Sequence, residues 1–296
     1  MNRTLLLLAC IATGLSSQAQ TTKLGYALTW DNTLTVVPDT LVNGKHKLPA
    51  YTITIHEADA GTALDLWKNE YKAISREVSG SKPVKAVGAV QPTIAEGGIM
   101  VMATSASDKK AQLARLTLAF AQNDSVPVEQ DKAAADIARK LAVKYNKAVV
   151  QAQITSTEKS LEKATGKESD AQADAAKLDK QSLKANGELK KIKAKQGKVQ
   201  GDNAKLSGEI AGLEKKFQLT NNPKDLEKLS KMRIKLTNGE ASLAKLMKSE
   251  AKVQADLNKV EGNKPDAIQE QQEKTQTKEQ VQQDIDALKR KLDNIR

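Results

Sequence analysis

The chain has one cysteine, Cys10, and two histidines, His46 and His56, in 296 residues; aromatic residues make up 3% of it. The lone cysteine excludes an intramolecular disulfide and a thiolate metal set. Two histidines without acids or cysteines at ligand spacing leave zinc chemistry without a grip, and His56-Glu57-Ala58-Asp59 lacks the second histidine of HExxH. So few aromatic residues cannot fill one large globular core, so much of the chain must be stabilised along a narrow seam or by a partner. No run approaches the roughly 20 apolar residues of a membrane-spanning helix. Serines are plentiful, yet none stands in a GxSxG elbow, and Gly166-Lys167 lacks both the upstream glycine and the following Ser or Thr of a phosphate loop. No catalytic, cofactor or metal residue is therefore assigned. The acids Asp31, Asp39, Glu57, Asp59, Asp65, Glu70, Glu96, Asp108 and Asp124 read as solvated carboxylates.

The first residues read as an export signal: Arg3, an apolar stretch from Leu5 to Leu15, and a small-residue cleavage site at Ser17-Gln18-Ala19. Residues 1–19 would leave and the mature chain would begin near Gln20, in the periplasm or outside the cell. The rival is lipidation at Cys10 within Leu7-Leu8-Ala9-Cys10, which would give a lipoprotein anchor.

Residues 20–49 form a weakly patterned lead-in, with a short strand over Thr33 to Val37 and turn signals at Pro38-Asp39 and Asn43-Gly44. Residues 50–128 read as a small α+β domain, a two-layer sandwich on a mostly antiparallel sheet. Tyr51-Thr52-Ile53-Thr54-Ile55 is a strand by its β-branched content, and Asp59 caps a helix reaching about Arg76. Leu64, Trp67, Tyr71 and Ile74 share one face of that helix, which makes Trp67 and Tyr71 core residues rather than a binding surface with Trp30. Strands over Val84 to Val90, Ile99 to Met102 and Leu116 to Phe120 follow, the last two paired across Ser105-Ala106-Ser107-Asp108.

From Glu129 the pattern turns helical. Residues 129–220 read as one helix, 221–223 as a turn, and 224–296 as a second arm. With Leu189 at a and Ile192 at d, the d series is Ala164, Ala171, Leu178, Ala185, Ile192, Val199, Leu206 and Leu213, all apolar. The a series includes the polar Glu168, Ser182, Gln196 and Asn203; polar a residues specify register at a cost in stability. The second array begins with Leu229, Met232, Leu236 and Leu243 and runs to Ile295, passing Lys264, Gln271, Lys274 and Lys278 at core positions. A kink or short non-helical link is expected at Gly262-Asn263-Lys264-Pro265.

Asn221-Asn222-Pro223 reads as a hairpin turn, giving an antiparallel coiled coil in preference to a parallel oligomer. Such a turn pairs Leu213 with Leu229, Ile210 with Met232, Leu206 with Leu236, Glu168 with Lys274, and Ile154 with Leu288. It leaves Ile192 opposite Glu250, Ala164 opposite Lys278, and Arg296 beside Asn146.

The net charge is +11, and from Glu129 onward 35 Lys+Arg face 26 Asp+Glu. Lys184, Lys190, Lys191, Lys193, Lys195 and Lys198 meet one acid, Glu188, and form the candidate contact for a polyanion or the cell-envelope surface.

The run Tyr51 to Ile55, the helix Ala63 to Tyr71, the strand Leu116 to Phe120, and the helix Ala133 to Tyr145 passing into a lysine-rich coil resemble a group of exported bacterial proteins with a small α/β head and a C-terminal coiled coil. That resemblance implies the same order of parts and no site residues. The architecture also looks like that of the Skp-type periplasmic chaperones, basic proteins with a β body and helical-hairpin arms, though no motif is shared. The function expected is that of an exported, non-enzymatic structural or interaction protein, with a binding head and a coiled coil that spaces or oligomerises. Alternatives are a holdase using basic arms, and a hydrolase or transferase with its site in the head.

Overall fold

The computed structural model describes residues 25–129 and 131–296; residues 1–19, read above as an export signal, and Cys10 among them lie outside the described residues. The described chain divides into two compact units. The first holds the described residues up to Thr157 together with Asp284–Arg296, and the second holds Glu158–Gln283.

The first unit is built on a six-stranded antiparallel sheet of β1 (Val36–Asn43), β2 (His46–His56), β3 (Glu77–Ser79), β4 (Val84–Ala89), β5 (Ile99–Asp108) and β6 (Leu113–Ala121). Its order is β1-β2-β6-β5-β4-β3. The sheet thus starts inside the stretch read as a lead-in. Pro38 is a strand residue, not a turn, and the edge position of β1 tolerates its missing N–H. Pro49 pairs with Thr40, while the β2–β6 ladder starts only at Ala50, so β2 accommodates its proline where one side is still unpaired. Asn43-Gly44 does turn, with Gly44 at φ +62. The β5–β6 turn is Lys109–Gln112, not Ser105 to Asp108, because both strands stay paired as far as Asp108↔Leu113.

Alternation along β2 and β6 sorts the side chains between two faces. Tyr51, Ile53, Ile55, Ala114, Leu116, Leu118 and Phe120 face α1 (Ala60–Lys72) and the first turns of α2 (Asp131–Thr220), forming the main core with Val101, Trp67, Tyr71, Leu141 and Tyr145. Leu41, Leu48, Ala50, Met102, Ala119 and Ala121 form a smaller cluster on the other face. Asp59 caps α1, accepting from the Thr62 N–H at 2.7 Å, as the sequence predicts. The helix ends at Lys72 instead of near Arg76, since residues 73–76 turn the chain into β3 and the Arg76 N–H donates to the Val87 carbonyl.

Asn146, fully buried, docks α2 against β2. Its Oδ1 accepts from the His56 N–H at 2.8 Å and its Nδ2 donates to the Thr54 carbonyl at 2.9 Å. A third cluster joins Val150 and Ile154 of α2 to Leu288, Leu292 and Ile295 at the end of the chain, with Tyr26, Leu28, Trp30 and Leu34 packed against them. The layer expected between Ile154 and Leu288 is therefore present. Residues 26–34, read as weakly patterned, place an apolar side chain at 26, 28 and 30, and the strand expected over Thr33 to Val37 begins at Val36.

In the second unit, α2 runs to Thr220 and α3 (Pro223–Asn294) returns beside it. Ile210, Leu229 and Met232 are buried together with Leu206, Leu213, Phe217 and Leu236, the residues that the antiparallel register pairs. Asn221 turns at φ +46, the Asn222 carbonyl accepts from the Asp225 N–H at 3.0 Å, and Pro223 opens α3 where its missing N–H costs nothing. Polar residues link the arms elsewhere. Gln196 donates to Glu250 at 2.8 Å, Ser182 bonds Glu261, and Lys264 reaches Asp179 at 3.2 Å. Three expectations change. The partner of Glu168 is Lys278 at 2.8 Å, with Thr275 at 3.0 Å, while Lys274 pairs within its own helix with Glu270. Glu250, expected opposite Ile192, accepts from Gln196 at 2.8 Å and lies 3.9 Å from Lys193. The helix continues through Pro265 without a link, and the lost hydrogen bond falls at Glu261, whose side chain is tied to Ser182 and Lys264.

Candidate functional site

The most elaborate polar arrangement among the described residues lies where β2 ends. Glu57 leaves the strand at φ +55, outside the usual range for a side chain of its size, and its N–H donates to the Gln112 carbonyl at 2.7 Å. That turn points its carboxylate at Lys291 of α3. Nζ of Lys291 donates to Glu57 Oε2 at 2.5 Å and to the Ala27 carbonyl at 2.7 Å, with Gln153 Oε1 at 3.5 Å. Glu57 also accepts from Gln153 Nε2 at 2.8 Å and the Ala27 N–H at 3.0 Å. The Lys291 side chain is 0% exposed. All three ammonium protons have acceptors, and each carboxylate oxygen has a donor, which is the condition for a buried pair to be tolerated. Chemically the arrangement is a lock that holds residues 26–28, the end of β2, α2 and α3 together.

Beside it opens a cavity of about 310 Å³ lined by Tyr26, Glu57, Asp59, Ser107, Asp108 and Lys109 among others. Its polar groups carry local structure. Asp59 caps α1, and the hydrogen bonds from Thr62 hold its carboxyl below the usual range. Asp108 accepts from the Lys110 and Ala111 N–H groups at 3.1 Å, and Ser107 accepts from the Ala60 N–H at 2.6 Å.

His56 packs edge-on against Trp30, with ring centroids 5.5 Å apart. Burial lowers its pKa, and the opposing pull of the Glu57 charge is smaller, so the imidazole is neutral at pH 7. Trp67 and Tyr71 stack at 4.8 Å inside the main core, as their helical spacing implies, and Trp30 sits apart from them in the cluster around Val150. Among the described residues no group of three or more His, Cys, Asp or Glu could hold a metal ion, and no helix is long and apolar enough to cross a membrane.

The six lysines singled out from sequence are all exposed on α2, in the second unit. Lys184, Lys191, Lys195 and Lys198 follow helical spacing and share one face; Lys190 and Lys193 turn elsewhere, and Lys193 lies 3.9 Å from Glu250. Folding adds cations that sequence order concealed: Lys252 and Lys259 of α3 line the same grooves as Lys184, Lys191 and Lys195. Glu188 and Asp256 stand among them, so the face is basic but interrupted.

Sequence reasoning also passed over Lys291 and Gln153. A lysine beside a heptad leucine carries no mark of burial, and only the meeting of α3 with β2 creates the site. Neither protein-family models nor curated proteins give a match to this chain.

Proposed function

We propose that this is an exported, non-enzymatic interaction protein in which the sheet unit is the binding head and the helical hairpin meets partners through its outer surface. The observation that carries this reading is the use of the coiled-coil seam within one chain. Leu206, Ile210 and Leu213 are occupied by Leu229, Met232 and Leu236, and Gln196, Ser182 and Glu168 are occupied by Glu250, Glu261 and Lys278. A seam already filled has little left to drive a parallel oligomer, whereas the lysine-rich outside is unspent. Self-association therefore takes second place to a partner or to a polyanionic or envelope surface. The resemblance to exported proteins with a head and a coil supports the same reading.

Mass determination with a distance measurement between spin labels at Val199→Cys and Leu243→Cys in a Cys10→Ser background tests it. Packed helices lie about 8–10 Å apart, so a monomer with labels within about 20 Å is expected. A concentration-dependent oligomer with widely separated labels within each chain would return the seam to the role of oligomerisation element and end this proposal.

One observation favours a holdase as the second reading. Leu183, Ile234 and Met247 are 73, 60 and 58% exposed on the basic arms. Suppression of client aggregation by the full chain, lost on Leu183→Ser, Ile234→Ser and Met247→Ser together, would favour it; no suppression would dismiss it.

A further inference from the structure

We propose that the closed end of the hairpin is a docking surface for an anionic lipid bilayer. The proposal rests on reading the hairpin as the interacting part of the chain, and it names the partner and the place. Leu219, in the last turn of α2, is 86% exposed, and Leu226, in the first turn of α3, is 54% exposed. Neither falls at a core position of the heptads, so folding of the arms gives neither a partner. A groove of about 930 Å³ opens at this end, lined in part by Phe217, Pro223, Leu226 and Leu229. One exposed leucine is ordinary on a protein surface. Two of them, one from each arm and both within a turn of the apex, make an apolar end.

The charges around this end are one-sided. Glu214, Asp225 and Glu227 are each held by a cation: Arg233 at 2.5 Å, Lys216 at 3.2 Å and Lys231 at 2.5 Å. With the acids so engaged, Lys215, Lys224 and Lys228 remain exposed, and among the described residues no acid pairs with them. Leucines capped by unbalanced lysines have the composition of an interfacial membrane binder, in which apolar side chains enter the acyl boundary while ammonium groups stay at anionic headgroups. A soluble polyanion would use the lysines and leave the leucines in water. A bilayer satisfies both, and this favours it. The apex is also preorganised: Asn221 at φ +46, the Asn222 cap and Pro223 hold the two leucine-bearing turns without a flexible loop.

The test is co-sedimentation of the full chain with vesicles containing phosphatidylglycerol and with vesicles of phosphatidylcholine alone. Binding is expected only to the first. Replacing Lys215, Lys224 and Lys228 together by Gln should weaken it about a hundredfold, at about fivefold per lysine near a charged surface. L219S with L226S should weaken it about tenfold or more. The mid-arm variant K184Q/K191Q/K195Q/K198Q should keep most of it, and a polarity-sensitive dye at L219C in a C10S background should shift to the blue on vesicle addition. All these positions are exposed, and unchanged helical circular dichroism verifies the fold. The proposal is overturned by absence of binding to phosphatidylglycerol vesicles, by equal binding to both vesicle types, or by a larger loss in the mid-arm variant than in the apex variants. Saturation of the dye by poly-glutamate with no response to vesicles also overturns it, in favour of an acidic protein partner. An unaltered mass and label distance in such a case leaves the hairpin reading standing.

Discussion

Replacing Gly239 by alanine separates helix propensity from packing across the arms. In a helix interior alanine is more stable than glycine by about 1 kcal/mol, because glycine has more backbone freedom to lose. At Gly239 a Cβ would meet the Asn203 side chain of the opposing arm, at 1.9 Å from Oδ1 and 2.8 Å from Cγ. The asparagine is thus seated over a position that only glycine leaves open. We expect Gly239→Ala to forfeit the propensity gain and to destabilise the hairpin, since the whole amide must leave its place. In an Asn203→Ala background the same substitution should stabilise by about 1 kcal/mol, so that the double-mutant cycle shows a coupling of about 1–3 kcal/mol. Gly212 is the control: nothing lies within 4 Å of a Cβ built there, and Gly212→Ala should stabilise by about 1 kcal/mol in either background. The assay is urea denaturation followed by far-UV circular dichroism, which the two long helices dominate. Stabilisation by Gly239→Ala in the native background equal to that of Gly212→Ala, or additivity with Asn203→Ala, would refute the packing argument.

Three further outcomes are expected. Lys291→Ala strands the Glu57 carboxylate among buried groups and should cost about 3–5 kcal/mol, whereas Lys291→Met with Glu57→Gln should recover much of it; unfolding followed by Trp30 and Trp67 fluorescence measures both. Acid should loosen the hairpin. Hydrogen bonds from Lys278 and Ser182 hold Glu168 and Glu261 respectively below the ordinary glutamate range, so their stabilisation is complete above the unfolded pKa of about 4.3 and is lost as pH falls through the folded values. Lys264, raised by Glu261 and Asp179, contributes fully below its unfolded pKa of about 10.4 and loses this as pH rises past the folded value, so melting temperature against pH should show a plateau between these limits. Asp59→Ala should cost about 1 kcal/mol through loss of the α1 cap, read as a lower melting temperature of the sheet unit, while Lys68→Ala on the same helix, which removes only a 3.6 Å surface ion pair with Asp65, should change little.

Much of the helical part was legible because the seam repeats. An apolar d position in every heptad from Ala164 to Leu213, with Asn221-Asn222-Pro223 between the arrays, indicates two arms and a turn, and the cluster around Ile210 and Met232 has the partners that turn selects. Partners among polar residues were less legible. A long side chain reaches about a turn along its helix, which is why Glu168 takes Lys278 instead of the facing Lys274. In the sheet unit, β2 and β6 declared themselves by β-branched and apolar alternation, but β1 did not, because its edge position lets it carry Pro38, Asp39 and Thr40 facing water. The Glu57 and Lys291 lock could not be read at all. Its members are separated by 234 positions, and nothing local distinguishes a buried lysine from a solvated one.

The amino-acid sequence by itself determined the periodic facts: where apolar residues recur at helical or strand spacing, where asparagine and proline end a helix, and that cations outnumber acids along the arms. These are local because each follows from the geometry of one element. The tertiary structure alone decided which charges are spent and which are free. Burial and cross-arm ion pairing depend on the second helix returning at a particular register, and that return pairs Glu214 with Arg233 and Asp225 with Lys216 while leaving Leu219, Leu226 and three lysines exposed around the apex.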